Sequence, residues 1–252
     1  MHFPSISPPI GPEIDRKCFL QQEVHVPGSP PGPEQFPYPG RMADIYTTAS
    51  LNPSKPEAIA AALRSSGVAP HASTDSFTQL ASYRFDDPAG GVGMEIHIVR
   101  DDEGRILQVP LTYRGAPLDQ AVSPVVEMDH SILGRRWVYL GLEDPVFRTE
   151  LARTIAVAGS GAEFIDAESG NELDAPVAAV RGTGIAGGEA PSEAALADLA
   201  ERLVLRSVLV DADGNAAGDN AAGDGNAPAA GELLGTWPGH EGGEVQFAAI
   251  PA

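Results

Sequence analysis

The sequence predicts an α+β fold: a mostly antiparallel sheet packed against two or three helices on one side, preceded by a disordered proline-rich arm. Three observations point there. Residues 92–114 alternate apolar and polar in two runs around a turn, the stretches after Ser54 and after Asp144 repeat apolar residues at helical spacing, and the remaining apolar runs are short and punctuated by glycine.

Residues 1–41 carry proline too often for a packed element and have no long apolar core suited to a signal peptide. Met42 follows at once, so the arm reads equally as a flexible extension or as translation begun upstream of the true start. The single cysteine, Cys18, lies in this arm, which leaves no internal disulfide and no CxxC site. A reducing, cytoplasmic compartment fits. Residues 42–252 are expected to form one domain, interrupted by a flexible low-complexity loop at 212–231.

Ser54-Lys55-Pro56-Glu57 has the spacing of a capping box, and Ile59, Ala62 and Leu63 follow before Gly67, so a short amphipathic helix is expected over about 55–65. The hairpin comes next. Met94, Ile96 and Ile98 alternate with Glu95 and His97 in 92–99, a turn falls at 101–104, and Leu107, Val109, Leu111 and Tyr113 share a face in 105–114. Pro110 lacks a ladder donor and is expected at an edge or a bulge. Asp144-Pro145 reads as an N-cap followed by proline in the first turn, with Phe147, Leu151 and Ile155 at i, i+4, i+8 toward Gly159. Strands are expected at 162–166, 177–183, 203–210, 231–237 and 244–250, with a third helix over 192–202.

The charge balance is 16 − 35 = −19, which argues against nucleic acid or an anionic membrane as partner. It is uneven. Residues 42–160 hold 10 basic and 15 acidic residues and 161–252 hold 3 and 16, so an anionic ligand would use the arginines of the first stretch. No run reaches the ~20 apolar residues of a membrane span, and a soluble protein is expected.

Several motifs invite a chemical reading. Gly182, Gly184 and Gly187 spell GxGxxG after a strand-like run, yet Gly188 and Pro191 interrupt the place where a dinucleotide fold must begin its helix, so a loop is expected. Asp211-Ala212-Asp213-Gly214 opens like a calcium loop without completing one and reads as a capped turn. Glu95 and His97 could offer two metal ligands on one strand face, but no third converges, and solvent-facing strand residues account for them. Neither a metal site nor a cofactor is expected.

The segment from His130 to Tyr139 is richest in recognition groups. Arg135 and Arg136 could hold a phosphate or carboxylate, and Trp137 and Tyr139 could stack on a sugar. The structural alternative has the two aromatics in the core and the arginines paired with Asp86 or Asp87. The candidate surface for ligand or partner is His130, Arg135, Arg136, Trp137 and Tyr139 with the neighbouring Tyr113 and Arg114. No catalytic residue is nominated.

MADIYTTASLNPSKPE, YRFDDPAGGVGMEIHIV, VPLTYRGAPLDQA, MDHSILGRRWVYLGLEDPV and GTWPG, in this order, resemble short actinobacterial proteins related to the maltokinase N-terminal cap domain. In full maltokinases this cap precedes a kinase body that phosphorylates maltose on the route from trehalose to α-glucan. The resemblance implies that pathway without that reaction, because no HxD catalytic-loop motif is present. Related short proteins are sometimes labelled glucan branching proteins, an activity that needs a large barrel domain absent from this sequence. The resemblance therefore implies a non-catalytic regulatory or interaction module for a separately encoded kinase-like or α-glucan enzyme. A small-ligand binder for a sugar or sugar phosphate is the alternative, and a nucleotide-dependent enzyme or maltokinase-related phosphotransferase the third reading.

Overall fold

A computed structural model describes residues 43–118, 122–185, 190–216 and 229–252. The expected arm at 1–41, Gly187 and the middle of the 212–231 tract lie outside the described residues. In chain order the elements are β1 (Ala43–Ile45), β2 (Leu51–Asn52), α1 (Lys55–Ser65), β3 (Phe77–Phe85), β4 (Val92–Asp101), β5 (Ile106–Arg114), β6 (Val126–His130), β7 (Gly134–Leu140), α2 (Pro145–Ala156), β8 (Phe164–Asp166), β9 (Ala179–Gly182), α3 (Glu193–Arg202), β10 (Val204–Leu205), β11 (Val208–Val210), β12 (Ala229–Thr236) and β13 (Val245–Pro251). The fold is α+β and mostly antiparallel, as expected.

The main sheet has seven strands, ordered β2-β6-β7-β5-β4-β3, with β11 added beside the start of β5. A second sheet runs β10-β13-β12-β9, and β1 pairs with β8 in parallel. The hairpin at the centre follows its sequence pattern: Met94, Ile96 and Ile98 enter one core, while Leu107, Val109 and Leu111 enter another. At its turn Gly104 takes φ +84°, and the Asp101 carboxylate accepts the N–H groups of Glu103 and Arg105. Pro110 sits where β5 changes neighbours. The Gln108 N–H donates to Ser207 beside β11, and β7 begins to pair only at Leu111, so the position where proline lacks a donor faces neither strand.

Helices cover both faces of this sheet, not one. α1 lays Ala58, Ile59, Ala62 and Leu63 over Val99, Leu107, Val109 and Leu111, while α2, α3 and the second sheet close the opposite face around Tyr83, Phe85, Ile96 and Phe247. The consequence reaches Glu95 and His97. Expected to face solvent, they point toward the α1 side and are 6% and 0% exposed, because a strand covered on both faces has no solvent side.

Three further differences concern strands. Residues 77–85 form β3 without having been anticipated, and the apolar-aromatic stretch at 123–142 resolves into the β6–β7 hairpin, turned at Gly134 with φ +73°. The single strand expected at 203–210 breaks in two. β10 pairs with β13 in the second sheet, and after Arg206 and Ser207 the chain crosses to pair β11 with β5. Gln108 links the sheets at this corner: Tyr83 Oη donates to its Oε1 at 2.9 Å, and its Nε2 donates to the carbonyl of Phe247 at 2.7 Å.

Candidate functional site

Strand alternation divides the nominated segment between two faces. Along β7, Arg136 and Val138 point toward α1, whereas Arg135, Trp137 and Tyr139 point the other way. The register sets Met128 opposite Arg136 and His130 opposite Gly134, and on the neighbouring strand Tyr113 opposite Val138. His130, Arg136 and Tyr113 therefore share the α1 face. Arg114, Arg135, Trp137 and Tyr139 do not join them.

On the second face the nominated groups are engaged in the fold. Arg114 Nη1 donates to both carboxylate oxygens of Asp144 at 2.8 and 2.7 Å, and Asp144, fully buried, accepts the Val146 N–H at the start of α2. Tyr139 is fully buried, and its hydroxyl accepts the Leu118 N–H at 3.0 Å. Arg135 pairs with Glu127 and places its guanidinium 5.9 Å from the Trp137 ring centroid, so the pairing expected with Asp86 or Asp87 is not formed. Asp87 instead accepts the N–H groups of Ala89, Gly91 and Val92.

The α1 face carries a buried polar cluster that the sequence reading set aside. Lys55, first residue of α1, donates to Glu95 Oε2 at 2.7 Å. Across the ladder Glu95 lies opposite Arg84, and His97 opposite Ser82. Burial alone pushes the Glu95 carboxyl up, but the charges of Lys55, His97 and Arg84 together with the Lys55 hydrogen bond outweigh it and hold the group down at about 2. Burial pulls the His97 imidazole down to about 4, only partly opposed by Glu95 and aided by Lys55 and Arg84. His97 is thus neutral near neutrality. Its Nε2 is 3.4 Å from the Tyr113 hydroxyl, and its Nδ1, 3.8 Å from Glu95 Oε1, has no hydrogen-bond partner among the described residues. Burial raises the Tyr113 phenol, with Glu95 adding to the effect.

Toward the far end of the same face lie His130, Arg136 and Tyr46. His130 Nδ1 accepts the N–H groups of Ile132 and Leu133 at 3.2 and 3.1 Å, and the Tyr46 ring meets the imidazole edge-on at 5.7 Å between centroids. Burial lowers the His130 imidazole, with the charges of Arg136 and Lys55 acting in the same direction. Arg136 is half-buried; burial lowers its guanidinium and Tyr46 opposes that shift. Its guanidinium passes close over Gly115, where a Cβ would come within 2.6 Å of Arg136 Nη1 and the side chain would have to swing aside. The signal for this division was the period-2 alternation of β7, legible only once 134–140 is read as a strand.

The remaining motifs resolve into turns and packing. Gly182 lies in β9 against α2, where a Cβ would collide with the Thr154 carbonyl, and α3 begins only at Glu193 after its Ser192 cap. Asp211 accepts the N–H groups of Asp213 and Asn215, closing the turn expected there. Among the described residues no group of three His, Cys, Asp or Glu side chains could hold a metal ion, and no helix is long and apolar enough to cross a membrane.

No curated protein and no solved structure matches the chain. A family model does: the maltokinase N-terminal cap domain, over residues 68–144. That span runs from the loop before β3 through β7 to Asp144, the cap of α2, and includes six of the strand-borne groups discussed above, Glu95, His97, Tyr113, His130, Arg136 and Tyr139. Over residues 68–144, about a third of its length, the chain is thus similar to the maltokinase N-terminal cap domain.

Proposed function

We propose that the protein is a non-catalytic cap-like module that acts by docking to a separately encoded kinase-like or α-glucan enzyme of trehalose and maltose metabolism. One observation carries the reading: the segment that matches the cap domain is a framework piece, five consecutive strands in which Arg114 pairs with Asp144, Arg135 with Glu127, and Glu95 with Lys55 of the preceding helix. Phosphoryl transfer needs metal-binding carboxylates, a nucleotide cradle and a base held together around one reacting centre. The clustered ionisable groups of this segment, Glu95 and His97, are instead sealed under α1.

The same segment offers a surface to a partner. Ile132 and Leu133, at the tip of the β6–β7 hairpin, are 45% and 40% exposed and adjoin the paired Arg135 and Glu127. An apolar tip with a charged rim suits a modest protein contact. The test mixes the purified chain with a maltokinase body lacking its own cap and follows complex formation by sedimentation and maltose phosphate formation from ATP. The expected result is no turnover by the chain alone, and a complex weakened by replacing Ile132 and Leu133 with serine. Turnover by the chain alone that vanishes on mutating its own residues would overturn the reading.

A further inference from the structure

We infer that Arg136, His130 and Tyr46 form a binding site for the phosphate group of a small metabolite on the α1 face of the main sheet. The inference is independent of any protein partner. It starts from the guanidinium. Arg136 is half-buried and, among the described residues, makes no hydrogen bond and no ion pair, although its neighbours Arg135 and Arg114 are both paired to carboxylates. Removing a guanidinium from water without giving it an acceptor is costly, and a bound oxyanion supplies what is missing.

Among the described residues, the carboxylates of β4, β6 and α1 are directed elsewhere by the fold. Glu127 and Asp129 alternate onto the opposite face, Glu95 is engaged with Lys55, and Glu57 accepts both the backbone N–H and the hydroxyl of Ser54 at the start of α1. Among the described residues of the sheet strands and the first turn of α1, this face holds Lys55, Arg84 and Arg136 against Glu95 and Glu57, in a chain whose total charge is −19. An excess of cations kept here is a local feature and not a consequence of composition.

His130 adds a second donor whose direction of hydrogen bonding is fixed. Two backbone N–H groups point at Nδ1, which must accept, so the neutral ring carries its proton on Nε2 and can only donate there. Tyr46, edge-on to this ring, brings a hydroxyl that can also donate, and Gly115 leaves the room that Arg136 needs. Two nitrogen donors and a phenol set beside one another match the several oxygens of a phosphate monoester better than the two of a carboxylate. Two backbone amides fixing the imidazole also mean that binding needs no tautomer change.

The experiment uses the full chain and four probes: inorganic phosphate, glucose 1-phosphate, AMP and acetate. Calorimetry is expected to give binding of at least one phosphate probe with a dissociation constant below about 1 mM and none for acetate. The phosphate probes distinguish a free ion, a sugar phosphate and a nucleotide as the source. By NMR, the His130 imidazole is expected to titrate at higher pH in the presence of the bound probe, because an anion opposes the effect of Arg136. Arg136→Gln should weaken binding at least about tenfold. Arg135→Gln, on the other face, should leave binding unchanged. Equal loss in the Arg135 and Arg136 variants, or no phosphate binding by the parent chain, would overturn the inference.

Discussion

His97 is fully buried and neutral, so protonating it requires placing a charge beside Lys55 and Arg84 beneath α1. Its folded pKa, about 4, lies below the ordinary 6.5, so the folded state binds that proton less readily than the unfolded chain does. The stability involved is complete above pH 6.5 and drains away as the pH falls toward 4, by an amount on the order of 3 kcal/mol. Glu95 adds to the loss only at lower pH, since its depressed value, about 2, means its contribution fades between the ordinary 4.5 and 2. Urea unfolding at a series of pH values should show the decline between 6.5 and 4, and His97→Gln should flatten it. A His97→Gln profile as steep as the parent's would assign the decline to other groups. Lys55→Met should shift the acid-unfolding midpoint upward, because Glu95 then keeps its burial cost and loses its principal cation.

At the scale of elements, two residues decide whether α2 forms and where it packs. Asp144 caps the helix through the Val146 N–H and anchors Arg114 from β5, joining helix start to sheet. Asp144→Ala removes the cap and leaves a partly buried guanidinium unpaired, a loss of about 3 kcal/mol in chemical denaturation; Asp144→Asn, which can still cap, should cost less. Gly182 is the place where β9 meets the last turn of α2. An alanine there would press on the carbonyls of Thr154 and Ile155, backbone atoms that cannot swing aside, so Gly182→Ala is expected to destabilise by about 2–3 kcal/mol or more. A neutral result in thermal unfolding would mean that the helix has room to shift. The same substitution tests whether GxGxxG has any ligand role, since a packing glycine changes stability and leaves nucleotide affinity at zero.

The molecule as a whole is organised around one sheet with two cores, and the family match covers only part of what closes them. The segment 68–144 contributes Tyr83, Phe85, Met94, Ile96 and Ile98 to the core shared with α2, α3 and the second sheet, all of which follow residue 144 in the chain. A fragment of 68–144 would expose that face, and without Ile59 and Leu63 of α1 it would expose the other. We predict that the fragment is aggregated or binds a hydrophobic dye without cooperative unfolding, whereas residues 43–252 unfold in a single transition. A cooperatively folded fragment would show that the matched span carries its own sufficient core.

The central hairpin, the α1 bounds and the Asp144 cap were legible because each rests on neighbours in sequence: alternation, a capping box and a proline after an N-cap act over a few residues. β3 was legible in principle, since Ala81, Tyr83 and Phe85 alternate with Ser82 and Arg84, but an arginine and a serine among aromatics blur the pattern. The sequence by itself determined the fold class, the acidic balance and the resemblance to the cap domain family. Only the tertiary structure decided that Glu95 and His97 are buried and that Arg136 and Arg135 point to opposite sides. Those outcomes depend on which elements cover each face of a sheet, and that is set by contacts between residues far apart in the chain, such as Lys55 with Glu95 and Gln108 with Phe247. Periodicity tells which residues share a face; burial is fixed only when another part of the chain packs against it.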